Sequence, residues 1–105
     1  MSNSINVDID LADAEAQVIQ VNRYGTPEYA INIKTGSALV EGTLDQVNRA
    51  GVTPTWSTLD DKSGTALTAA VPGSGVVPIQ EVALEAIRIT ATGATTGKFM
   101  QQGNR

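Results

Sequence analysis

The stretch "INVDIDL" (Ile5–Leu11) decides the fold class. Ile5, Val7, Ile9 and Leu11 alternate with Asn6, Asp8 and Asp10. A period of two gives a strand with one dry face and one wet face. The same period recurs along the chain. Val18 to Val21 reads as a second strand ending at Arg23, and Tyr29, Ile31 and Ile33 alternate with Ala30, Asn32 and Lys34. Ala38, Val40, Gly42 and Leu44 continue the pattern towards Val47. Further runs lie at Thr53–Leu59, Thr65–Val71, Val76–Gln80, Leu84–Thr92 and Lys98–Gln102. Turn signals separate them: "YGTP", "KTGS", "NRAGVTP", "LDDKSG", "PGSG" and "TGATTG". The segment "LADAEAQ" (Leu11–Gln17) reads as a tight connection, at most one helical turn. Eight to nine short, mainly antiparallel strands at near-regular spacing predict an all-β fold, a β-sandwich of immunoglobulin-like or jelly-roll-like kind. It fills one domain over residues 1–105, with 1–4 and 103–105 as loose tails.

Composition narrows the function. The chain has 105 residues and a net charge of −4, with no cysteine and no histidine. Phosphate binding needs an excess of Lys and Arg, so nucleic acid is not an expected partner. An anionic membrane surface is disfavoured for the same reason. No apolar run approaches the roughly 20 residues of a membrane helix. The Met1 start has no basic-then-apolar leader, so no signal peptide is expected. The aromatics are Tyr24, Tyr29, Trp56 and Phe99, and Ala, Val, Ile and Leu supply the rest of the core. A core this thin gains from oligomerisation or from docking on a larger body.

One phrase occurs twice: "QVNRYGTPEY" (Gln20–Tyr29) and "QVNRAGVTPTW" (Gln46–Trp56). Each copy reads as a strand ending at Val-Asn-Arg, a Gly reversal, and a Thr-Pro opening the next strand with an aromatic two residues later. Turn chemistry alone explains such a pattern. If the strands run as an up-and-down meander, the two turns share one end of the molecule. Asn22, Arg23, Asn48 and Arg49 then form a patch for an acidic partner, because Arg forks pair carboxylates at two points.

Residues that could carry chemistry are few. Asp8, Asp10, Asp13 and Glu15 fall within eight residues, but the alternating ligands, central Gly and terminal Glu of a calcium loop are missing. A solvated strand face that guards an edge is the simpler reading. Asp60–Asp61 fit a turn with Lys62, Ser63 and Gly64. Acid–base carboxylate pairs need a deep pocket, and a serine or threonine nucleophile needs a base such as the absent histidine. "PGSG" (Pro72–Gly75) lacks the Gly-Lys-Ser/Thr and helix of a phosphate loop. No enzyme activity, metal or cofactor is expected. Trp56 fits a sandwich core, or a sugar platform with Tyr24 or Tyr29.

The second half carries a resemblance. "TWSTL" (Thr55–Leu59), an Asp/Lys/Ser/Gly turn, "GTALT" (Gly64–Thr68), "VVPIQ" and "IRITATGATTGKF" (Ile87–Phe99) resemble small all-β structural proteins of tailed bacteriophages, especially capsid decoration or cement proteins. The resemblance covers roughly Thr53 to Gln102. It implies a virion protein, made in the host cytoplasm, that binds the major capsid protein lattice as a homo-oligomer, a trimer foremost, and stabilises the head. Two contact regions are expected. The N-terminal segment, with Ile5 and Val7, can add as a strand to a neighbouring sheet edge. The Asn22, Arg23, Asn48 and Arg49 turns form the other. A carbohydrate-binding module, an immunoglobulin-like adhesion or adaptor domain, and a tail or baseplate module are the alternatives.

Overall fold

The computed structural model describes residues 4–22, 27–69, 72 and 75–102. Of the expected tails, only Ser4 is among them, as an exposed residue before the first strand. The fold is all-β, and no helix occurs among the described residues. The strands are β1 (Ile5–Leu11), β2 (Ala16–Gln20), β3 (Tyr29–Thr43), β4 (Ser57–Thr58), β5 (Val77–Pro78) and β6 (Ala86–Gln101). All six join one antiparallel sheet. Its order is β1-β6-β3-β4, with β2 on β6 and β5 on β3.

β1 and β2 do not form a hairpin. β1 pairs with β6 from Ile5↔Gln101 to Leu11↔Thr95, and β2 from Ala16↔Thr90 to Gln20↔Ala86. Both runs keep one register. β1 and β2 are therefore one path alongside β6, interrupted at Ala12–Glu15. The expected tight connection is a kink within that path. The N–H of Ala14 donates to the Ala91 carbonyl at 3.0 Å, and the Ala91 N–H donates to the Glu15 carbonyl at 2.9 Å.

Length then forces a bend. A straight strand rises about 3.3 Å per residue, so the 16 residues of β6 would span roughly 50 Å. The molecule's longest extent is 33 Å. β6 and the 15-residue β3 must fold over, and the crease is visible in the backbone. Ala14, Gly36 and Gly93 have φ of 65°, 78° and 75°, one on each of the three long paths. The β3–β6 register shifts on either side of Thr35. That irregularity moves the inward positions of β3 from Tyr29, Ile31 and Ile33 to Ala38 and Val40, while β6 keeps Ile87, Ile89, Ala91, Thr95 and Phe99 inward.

The crease makes two limbs. One holds β1, β5 and the halves of β3 and β6 at Tyr29–Ile33 and Thr95–Gln101. The other holds β2, β4 and the opposite halves. Their dry faces share one core, including Ile9, Ile19, Ile31, Val40, Ile79, Ile87, Ile89 and Phe99. Tyr29 stacks on Phe99 with centroids 6.2 Å apart. Two contacts fasten the end opposite the crease. The Tyr29 hydroxyl donates to the Val82 carbonyl at 3.0 Å and accepts from the Leu84 N–H at 3.4 Å. The buried amide of Gln101 accepts from the Asn22 N–H at 2.7 Å and donates to the Asn22 carbonyl at 2.9 Å.

The predicted strands over Thr53–Leu59 and Thr65–Val71 shrink to β4 and isolated bridges, Asp60↔Ala66 and Asp61↔Ile79. Here main-chain groups bond outside a regular ladder. The Leu67 N–H donates to the Leu59 carbonyl at 2.8 Å, and the Val40 N–H to the Leu67 carbonyl at 3.0 Å. Ala70 and Val71 lie outside the described residues.

Candidate functional site

Ile5 and Val7 sit in β1, opposite Gln101 and Phe99 of the same chain. Both are half-buried and pack against the core. The N-terminal segment is thus built into its own sheet. Its other edge is different: among the described residues, no strand pairs with β1 or β2 on the side away from β6. Asp8 and Asp10 point outward along β1, and Asp8 faces Lys98 at 3.6 Å with 81% of its side chain exposed. Charges so placed guard an edge against indiscriminate pairing.

The acidic run divides into two roles. Asp13 Oδ1 accepts the Gly93 N–H at 2.9 Å, and Glu15 Oε1 accepts the Ala12 N–H at 3.0 Å. These carboxylates brace the crease, while Asp8 and Asp10 line the edge. Among the described residues, no three carboxylates gather as a metal site would need. Asp61 makes the turn its neighbours suggest. Its Oδ1 accepts the Ser63 hydroxyl at 2.7 Å and the Ser63 and Thr65 N–H groups at 2.9 and 3.0 Å. Those bonds, the Ser63 hydroxyl foremost, hold its carboxyl below the usual carboxylate range.

The two copies of the repeated phrase fold differently. In the first, Gln20 ends β2 and the Asn22 main chain is clasped by Gln101. In the second, β3 has already ended at Thr43, and Val47–Gly51 form a turn in which the Val52 N–H donates to the Arg49 carbonyl at 3.2 Å. No strand ends at the second Val-Asn-Arg. The chain is also no simple meander, since β1 and β2 run in one direction beside β6. Even so, Val21 and Thr43, which precede the two Asn-Arg pairs, meet at one end of a limb. The Val21 N–H donates to the Glu85 carbonyl at 3.3 Å, and the Glu85 N–H to the Thr43 carbonyl at 2.9 Å. Asn48 and Arg49 are exposed there, Asn22 is half-buried, and Arg23 lies outside the described residues.

The two aromatics that follow the repeated Thr-Pro point to opposite sides. Tyr29 is buried, and burial pushes its phenol above the usual value while the Leu84 hydrogen bond pulls it down. Trp56 is absent from the core cluster and half-buried on the outer face. The Arg88 guanidinium covers its ring, with Cζ 4.7 Å from the centroid. Arg88 Nε and Nη2 donate to Glu41 Oε1 at 3.1 and 2.8 Å. The signal for this stack was present in the alternation: Glu41 and Arg88 are outward charges of opposite sign between inward apolar residues. A sugar platform of Trp56 with Tyr29 is not formed, and Tyr24 lies outside the described residues.

A cleft of about 460 Å³ opens beyond the end of β3, among Thr43, Asp45, Thr55, Thr58, Gln80 and Leu84. Its polar groups tie loops together. Asp45 Oδ2 accepts the Thr55 N–H at 2.7 Å, and Gln80 Oε1 accepts the Asp60 N–H at 2.6 Å. No family model, no curated protein and no solved structure matches the chain.

Proposed function

We propose that this chain is a non-enzymatic virion structural protein, a capsid decoration (cement) protein that binds the major capsid protein lattice as a closed homo-oligomer. The observation that supports the reading is the outer edge of β1 and β2, which runs alongside β6 from end to end without a partner strand among the described residues on its other side. An all-β module with such an edge can add to neighbours by main-chain pairing. In this reading the folded sheet is a two-layer sandwich. Each limb supplies one layer, and β3 and β6 contribute to both. Ile5 and Val7 lie beneath the edge offered to the lattice. The turns carrying Asn22, Arg23, Asn48 and Arg49 offer a second contact, suited to an acidic surface.

The protein belongs on the capsid surface, after synthesis in the host cytoplasm. Co-sedimentation of the full chain with purified phage heads tests this. Deleting residues 1–6 should weaken capture, and Arg23→Glu with Arg49→Glu should abolish it. Undiminished capture by both variants, each still folded by circular dichroism, would refute both contact regions. Failure of the intact chain to sediment with any head would refute the decoration role.

A further inference from the structure

We infer that β2 is a self-complementary edge through which two copies of this chain join as a two-fold dimer. The inference rests on the homo-oligomer part of the function proposed above. It sets a two-fold contact in place of the three-fold one implied by the resemblance.

The first step is which groups the edge presents. The Ala91 N–H bonds the Glu15 carbonyl, and the Val21 N–H bonds the Glu85 carbonyl. In an antiparallel ladder, alternate residues turn both main-chain groups to the same side. Gln17 and Ile19 therefore face β6, and Ala16, Val18 and Gln20 turn their N–H and C=O groups outward. Among the described residues, nothing pairs with these three on that side.

The second step is what the edge lacks. Natural edges are guarded by charge, Pro or a bulge. β1 follows that rule with Asp8 and Asp10. β2 reads Ala-Gln-Val-Ile-Gln and has no guard of any of these kinds. Self-pairing of β1 over its full length would set Asp8 against Asp8 of the second copy. Like charges directly opposite are destabilising. β2 meets no such conflict.

The third step is register. A two-fold axis at Val18 sets Val18 against Val18 of the second copy and Ala16 against Gln20. Three hydrogen-bonded pairs result, supplying about six main-chain bonds. Val18 is 48% exposed in the single chain, so this pairing covers apolar surface now facing water. The row behind it is neutral. Val18 lies beside Arg88, and Arg88 is paired with Glu41 at 2.8 Å. The outer row then runs Glu41, Arg88, Val18 and onward in mirror order through the second copy. An interface in which one strand meets itself is isologous and closes at two.

Light scattering on the purified full chain over a range of concentrations tests the proposal. The expected result is twice the chain mass, falling to one chain mass on dilution. Val18→Lys puts two ammonium groups face to face and should leave one chain mass throughout. Gln20→Pro removes an outward N–H without breaking a bond to β6, and should do the same if Val18→Lys fails to fold. Asp8→Lys, on the β1 half of the same edge, should keep the dimer. A wild-type monomer at all concentrations would overturn the proposal, as would a trimer. A dimer that survives Val18→Lys or Gln20→Pro, or one lost in Asp8→Lys alone, would also overturn it. These readouts need no capsid, so failure to bind heads leaves a distinct signature.

Discussion

Tyr29→Phe removes one oxygen from the clasp that holds the two limbs together. The ring stays, so the stacking on Phe99 and the core volume are kept. The Val82 carbonyl loses a donor at 3.0 Å, and the Leu84 N–H loses an acceptor at 3.4 Å. Leu84 is buried, so water replaces little there. A buried main-chain group left unpaired costs about 1–3 kcal/mol. The Leu84 bond is long and Val82 is half-buried, so the total should be about 2 kcal/mol. For a domain of this size that lowers Tm by about 8 °C. Urea unfolding followed by Trp56 emission should give the same loss with an unchanged slope. The pH dependence supplies a second signature. Burial raises the folded pKa of Tyr29 above its unfolded value near 10. Its contribution is therefore complete below about pH 10 and is lost as pH rises through the folded pKa. That part of the alkaline decline should vanish in Tyr29→Phe. A loss below about 0.5 kcal/mol, with the alkaline limb intact, would refute the idea that the hydroxyl fastens the limbs.

Three further outcomes follow from the crease and the outer face. Ala14 holds φ 65° in an exposed turn, so Ala14→Gly should relieve a left-handed strain of about 1–2 kcal/mol against an entropic cost of about 0.5–1, giving a net gain of up to about 1.5 kcal/mol in urea titration. Gly97 lies against the Asn32 carbonyl oxygen, where a Cβ would overlap main chain; Gly97→Ala should cost at least about 2 kcal/mol in the same assay. Arg88→Ala uncovers the Trp56 ring and strands the mostly buried Glu41 carboxylate, so it should cost about 1–3 kcal/mol and shift the indole emission.

Much of the fold is legible in the sequence because a half-buried strand writes its faces with period two. Ile9 and Leu11, Ile31 and Ile33, and Ile87 and Ile89 all fall inward as the alternation requires. The strand count is where reading fails. "KTGS" and "TGATTG" carry the residues of a chain reversal, yet here they lie inside β3 and β6. A Gly at positive φ can turn a chain back or crease it, and local sequence does not distinguish the two. "LADAEAQ" misleads in the same way, since only the shared register along β6 shows that the path continues. The clasp was also hidden. Gln101 reads only as part of the closing strand Lys98–Gln102, and its partner Asn22 is 79 positions away. Of the proposed contact residues, Ile5 and Val7 were readable as strand. The repeated phrase promised two equal turns, and its described residues form a strand end in the first copy and a loop in the second.

The crease also explains why this chain has edges to offer. An all-β chain whose sheet has one dry face must cover that face with something. With no helix among the described residues, the sheet covers it with itself. Folding three long paths across one line achieves this with few connections, because β3 and β6 serve both limbs. The far side of β3 is covered by β4, by β5 and by Leu67, whose carbonyl accepts the Val40 N–H. Among the described residues, the side of β6 away from β3 is covered only by the β1–β2 path, which thereby becomes the outer edge of both limbs at once. Closure of the core and exposure of that edge are thus one topological choice. Charges on β1 and their absence on β2 then divide the edge into a guarded half and an adhesive half. The Val18→Lys and Asp8→Lys variants separate them: if the adhesive half is the joint, only the first alters the mass in solution.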